Sequence, residues 1–267
     1  MLRSMFSAVS GLRSHQTMMD VTGNNVSNVN TAGYKSTRTT FQETLTQMTR
    51  GGTGGAVGAG GQGGINPMQL GLGTQVASTD LVYTQGASQV TGRATDLAIQ
   101  GDGFFAVEQG GETYYMRSGA FSLDNVGNLV APGGQRVLDV DGDPVTFPVG
   151  TLTDITIGND GTISGRDATG ALQLVTQIGM ARFPNPGGLE RDGNGLFRPS
   201  PASGAAIDGA PGDNGIGTLQ AGTLEMSNVD LAQEFTNLIL AQRGFQANAR
   251  TITTSDELLQ ELVNLKR

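Results

Sequence analysis

SNVDLAQEFTNLILAQRGFQANARTITTSDELLQELVNLKR, residues Ser227–Arg267, is the stretch on which the reading of the whole chain turns. Taken at steps of four and then three, it gives Leu231, Phe235, Leu238, Gln242, Phe245, Ala249, Ile252, Asp256, Leu259 and Val263, and eight of these ten are apolar. That is a narrow heptad seam, more than the broad face of a helix lying on a globular core. Ser227 with Asp230 three residues on has the spacing of a capping box and brings an acid to the positive helix end. Lys266 and Arg267 bring cations to the negative end. No proline interrupts the run, and its one interior glycine, Gly244, costs about 1 kcal/mol. A helix of this length runs roughly 60 Å, and its seam asks for a partner.

Working outward, the partner is the other end of the chain. Leu2, Met5, Val9, Leu12, Gln16, Met19, Gly23 and Val26 fall on a second seam, which predicts a helix over about residues 2–28. Ser7, Ala8, Ser10, Gly11 and Ser14 lie on its other side, where small side chains admit close neighbours. The helix runs into an asparagine-rich stretch, Asn24, Asn25, Asn28 and Asn30, ending at Gly33-Tyr34-Lys35. Asparagine is poor in helix interiors. The stretch is read either as a frayed end with a turn at Gly33 or as amides fixing the register between packed helices. The candidate assembly-interface residues are therefore Leu2, Met5, Val9, Leu12, Met19, Asn24, Asn25 and Asn28, with Leu231, Phe235, Leu238, Phe245, Ile252, Leu259 and Val263.

Between the helices, Phe41, Leu45 and Met48 make a weak pattern that suits a short helix or an extended arm. Gly51–Gly64 holds nine glycines in fourteen residues. It has no lysine after it and no strand before it, so it reads as a linker rather than a phosphate loop. From Thr74 to Thr223, short apolar runs such as Val76–Tyr83, Leu97–Glu108, Tyr114–Arg117 and Leu172–Phe183 alternate with Gly, Asn and Asp turns, predicting an antiparallel sandwich or irregular barrel. The expected fold class is α+β. The expected organisation is 1–50 with 224–267 as a coiled-coil core, 51–73 as linker and 74–223 as a single β-rich outer domain.

Composition removes several functions. The net charge of −8 argues against nucleic acid, and no run is long and apolar enough to span a membrane or form a signal-peptide core. There is no cysteine and one histidine, His15, which excludes thiol and histidine-pair chemistry. Asp139, Asp141 and Asp143 in DVDGDP look briefly like a calcium loop, but the glycine is misplaced and Gly150 stands where a glutamate is needed, so a hairpin turn is expected. No cofactor and no metal are expected. A secreted β-domain enzyme and a carbohydrate- or cell-binding β-module on a stalk are the readings from other classes, both weakened by a chain with no tryptophan and four tyrosines.

Three segments carry a resemblance. Met19–Lys35 (MDVTGNNVSNVNTAGYK) is similar to the N-terminal signature of the bacterial flagellar rod and hook family. Glu225–Leu231 (EMSNVDL), followed by Ala241–Asn248 (AQRGFQAN), is similar to its C-terminal signature. Asp96–Phe105 (DLAIQGDGFF) with Arg117–Phe121 (RSGAF) resembles its first β-domain motif. The resemblance implies a structural subunit, not an enzyme, with terminal helices lining a tube and the β-domain outside. Ile252–Arg267 and Gly71–Ala77 are similar to short hook proteins, so the expectation is a hook subunit, part of the curved tube that joins rod to filament and transmits torque. The distal rod subunit is the alternative. The implied partners are further copies of the chain, the distal rod protein, the hook cap, the hook–filament junction proteins and the flagellar export apparatus. The implied location is extracellular, in the flagellum, reached without a cleaved signal peptide.

Overall fold

A computed structural model describes residues 2–55, 63–147, 152–167 and 172–265. Two long helices at the chain ends and antiparallel strands between them make the fold α+β, as expected. The chain divides into a helical unit (Met1–Val26, Thr37–Asp80, Leu231–Arg267) and a β unit (Ser27–Ser36, Leu81–Asp230).

In the helical unit, α1 spans Leu2–Ser27 and α2 spans Leu231–Asn264. Asp230 immediately precedes α2, so the helix starts later than a Ser227 cap would place it; the Ser227 hydroxyl instead accepts from the Val229 N–H at 3.3 Å. Lys266, Arg267 and the core of the glycine-rich stretch lie outside the described residues, as does Gly150. The closest approach of the helices is at small residues, with half-buried residues of the apolar seams between them. The Asn248 amide occupies the place of a Cβ on Gly11 (2.7 Å), and the His15 ring occupies that of a Cβ on Gly244 (2.5 Å). Ala8, Gly11 and Ala241 are buried accordingly.

The stretch after Lys35 is an extended arm. Strand β1 (Thr37–Glu43) pairs with β4 (Thr74–Leu81), and β2 (Thr46–Arg50) pairs antiparallel with β3 (Met68–Gly71) in one continuing ribbon. An isolated Thr53–Ile65 bridge extends it into the glycine-rich stretch. The ribbon is pinned to α1 by serine: Ser14 Oγ donates to the Thr74 carbonyl (3.4 Å), and the Thr74 N–H donates to Ser10 Oγ (3.2 Å). Thr74–Asp80, expected in the outer domain, therefore belongs with the helices. Asn25 ties the end of α1 to the arm. Its buried amide donates to the Thr37 carbonyl (2.8 Å) and accepts from the Thr37 N–H (3.0 Å), because one carboxamide matches both backbone groups of an extended residue.

The β unit is built around β5 (Phe104–Gln109). It pairs antiparallel with β6 (Glu112–Met116) on one side and with Arg136–Val137 and Met180–Arg182 on the other. Successive side chains of a strand point to opposite faces, and here both faces are covered. Phe105 and Val107 enter a core with Leu97, Ile99, Phe121, Leu129 and Leu219. Phe104 and Ala106 enter a second core with Tyr115, Phe183 and Phe197; the Phe183 and Phe197 rings meet Phe104 edge-on at 5.5–5.6 Å. Each such phenylalanine stabilises by about 1.5–3 kcal/mol. Leu152–Ile157, Thr162–Asp167 and Leu172–Gln177 form a separate antiparallel meander. The DVDGDP segment is a turn, as expected: Asp139 Oδ1 accepts from the N–H groups of Asp141 (3.0 Å) and Asp143 (2.9 Å).

Close approach at Gly244 makes a direct prediction. Gly244→Leu is expected to weaken the helical unit by roughly 1–3 kcal/mol through overpacking against His15. Gly23→Ala, whose Cβ meets nothing within 4 Å, is expected to stabilise α1 by about 0.5–1 kcal/mol. Thermal melts followed by helical ellipticity check both.

A buried ionic clasp and candidate assembly faces

Four segments of the β unit converge on one carboxylate. Glu225 Oε1 accepts from Lys35 Nζ (2.6 Å) and from the Gly86 N–H (2.8 Å), and Oε2 accepts from Arg117 Nε (2.5 Å). All three charged side chains are about 1% exposed. The remaining guanidinium N–H groups are also used. Nη1 donates to the Gly103 carbonyl (2.6 Å) and the Tyr83 hydroxyl (3.0 Å), and Nη2 to the carbonyls of Ile99 (3.1 Å) and Gly101 (2.7 Å). That is the full donor complement of arginine. Lys35 also donates to the Thr84 carbonyl (2.7 Å) and sits over the Tyr83 ring at 4.9 Å.

Glycines make this convergence possible. Gly33 has φ +70°, and the Ser118 backbone nitrogen lies 2.5 Å from where its Cβ would stand. A Cβ on Gly86 would overlap the Met226 carbonyl, and one on Gly119 the Leu97 carbonyl. The strap Ser27–Ser36 is tied down further. The Gly33 N–H donates to the Glu225 carbonyl (2.8 Å), the Ser36 N–H to Asn228 Oδ1 (2.7 Å), and Arg191 donates to the Lys35 carbonyl while stacking on Tyr34.

The cluster holds two cations and one carboxylate, so it carries a surplus positive charge in a buried site. Burial lowers the Lys35 pKa more than the Glu225 bond raises it. Burial alone would raise that of Glu225, but the Arg117 charge, with Lys35 and the Gly86 N–H, outweighs it and the carboxyl is lowered. Burial likewise raises the Tyr83 pKa, keeping the phenol protonated to donate to the Gly103 carbonyl (2.8 Å).

The sequence-derived interface residues separate into two sets. On α2, Leu238, Phe245, Ile252 and Leu259 are half-buried and alternate with Ala241, Asn248 and Ser255, whereas Leu231, Phe235 and Val263 are exposed. On α1, Met5, Leu12 and Met19 are half-buried, as is Asn28; Val9 and Asn24 are exposed, and Asn25 is buried. Leu2 opens α1, its side chain outside the described set. Phe6, Ile239, Leu240, Leu258 and Leu262, beside the seams, are each more than half exposed. The helical unit thus presents large apolar side chains outward while packing small ones inward. Sequence reasoning missed the clasp residues Lys35, Tyr83, Arg117 and Glu225 as a site. One signal was available: Lys35 is one of two lysines in the chain.

Known proteins bear on this geometry. Three family models match, described as flagella basal body rod protein over residues 5–35, flagellar hook protein FlgE/F/G D1 domain over 98–165, and flagellar basal body rod FlgEFG protein C-terminal over 220–265. Each matched segment supplies one charged member of the clasp. The chain is 49% identical to the flagellar basal-body rod protein FlgG of Bacillus subtilis, over the whole of both chains. It is 38% identical, again over the whole of both, to FlgG of Borreliella burgdorferi. With the flagellar hook protein FlgE of the same organism it shares 29% over 444 aligned positions.

Removing the carboxylate leaves two buried cations without a counter-charge. Glu225→Gln is expected to destabilise the β unit by about 3–5 kcal/mol. Because the native pKa is lowered, the contribution of Glu225 is present above the ordinary carboxylate range and is lost as pH falls through the native value. Urea midpoints of the parent chain should therefore decline on acidification more steeply than those of Glu225→Gln.

Proposed function

The chain belongs to the flagellar rod and hook family, and we propose that within it this chain is the distal rod subunit of the basal body. The observation that carries the reading is identity along the whole length: both FlgG relatives match end to end at about this chain's own size. The FlgE alignment runs to 444 positions for a chain of 267, so that hook protein has a large segment with no counterpart here. The order of preference read from the sequence, hook before rod, is therefore reversed. The family is one of structural proteins, and the role is mechanical, with no reaction to assign.

The assembly mechanism follows from the exposed apolar faces. Phe6 is 71% exposed and Phe235 51%, with Ile239 and Leu240 beside the latter. Contiguous apolar surface of this kind marks a protein interface. Contacts between unlike faces of identical copies propagate instead of closing, which builds a filament or tube. The principal partner is then another copy of this chain, with hook and neighbouring rod proteins at the ends and the export apparatus as the route out. Among the described residues no helix is long and apolar enough to cross a membrane.

Two outcomes test this. A strain lacking the gene, imaged by electron microscopy, should show basal bodies with a truncated rod and no hook; a complete rod lacking only its hook would restore the hook reading. Phe235→Asp places a charge on an exposed face, so the purified subunit should keep its parent melting temperature while losing the ability to polymerise. Sedimentation and negative-stain imaging of straight polymers read that loss.

A further inference from the structure

We infer that Glu225 is a positioning residue that orders the closing of the β unit: the strand Thr223–Glu225 must dock before the strap Ser27–Ser36 can. This holds whether or not the chain is a rod subunit. The strand is fixed independently of the strap, by antiparallel pairing with Ser88–Val90, by the Met226 N–H donating to the Ala87 carbonyl (2.8 Å), and by Arg117. Arg117 and Glu225 alone make a neutral pair whose guanidinium has every N–H satisfied without help from the strap.

The converse does not hold. Three of the strap's anchors end on the returning segment: the Gly33 N–H on the Glu225 carbonyl, Lys35 Nζ on its carboxylate, and the Ser36 N–H on Asn228 Oδ1. Lys35 Nζ also reaches the Thr84 carbonyl, Arg191 the Lys35 carbonyl and the Val82 N–H the Ser36 carbonyl, so the dependence on Glu225 is carried by the Lys35 charge. Without Glu225, Lys35 would enter a buried site already holding the Arg117 cation, with no carboxylate bonded to either and only the charge of Asp102 acting on Lys35 from further off, and burial disfavours two like charges there. The strap can leave and strand a neutral pair; the strand cannot leave and keep the strap. Residues made early in the chain therefore wait for a carboxylate near its end, and anything that holds residues 223–228 extended also holds the strap off.

Amide hydrogen exchange on the full chain tests the order, with Gly33 and Val82 reporting the strap (the Val82 N–H donates to the Ser36 carbonyl, 2.8 Å) and Thr91 and Met226 reporting the returning strand (the Thr91 N–H donates to the Gly222 carbonyl, 2.9 Å). Lys35→Met should speed exchange at Gly33 and Val82 by on the order of tenfold to a hundredfold, the weight of one charged hydrogen bond, and leave Thr91 and Met226 unchanged. Glu225→Gln should speed all four. Parallel acceleration of all four in Lys35→Met overturns the order, as does retained protection of Gly33 and Val82 in Glu225→Gln. Should Glu225→Gln fail to fold, the Lys35→Met comparison decides by itself.

Discussion

Two cations and one carboxylate, each about 1% exposed, fix how the segments of the β unit meet. Buried ion clusters add little net stability compared with apolar residues of the same volume, but each arrangement that leaves one member alone carries a penalty of several kcal/mol. The consequence is selectivity over which segments meet. Gly33–Ser36, Tyr83–Gly86, Arg117–Gly119 and Glu225–Asn228 are far apart in the chain, and the shared carboxylate gives them one mutual arrangement. Glycines at 33, 86 and 119 then have to be glycines, since the backbones they touch leave no room for a Cβ.

The helical unit rests on a different constraint, steric rather than electrostatic. Its two helices were legible because helical periodicity survives in sequence whatever the partner. Which face meets which was not. A heptad rule assigns large apolar residues to the inner seam, yet Gly11 and Gly244 admit a side chain from the opposite helix, so small residues share the inner face with them. Half of the α2 seam, from Leu238 to Leu259 at every seventh residue, fell on the buried side. Phe235 and Val263 did not, and their side chains stay exposed.

The strands show the same division. Apolar runs bounded by Gly, Asn and Asp announced β5, β6 and their neighbours, and the DVDGDP turn could be read from its misplaced glycine. The ribbon arm was harder, because β2 and β3 are exposed along their length and carry no alternating pattern. The clasp was hardest. Its members lie 82 and 108 residues apart along the chain in the case of Lys35 to Arg117 and Arg117 to Glu225, and no local period links a lysine, an arginine and a glutamate. Beyond the scarcity of lysine, their places inside three separate family segments mark them without joining them.

Burial of Lys35 has a practical corollary for chemical handling. The chain has two lysines, and one of them is sealed beneath Tyr83 beside Glu225. Amine-directed reagents, aldehyde fixatives and succinimidyl esters included, do not reach that amine on the folded molecule. Lys35 is the lysine of the β unit, so such reagents leave the body of that unit unmarked.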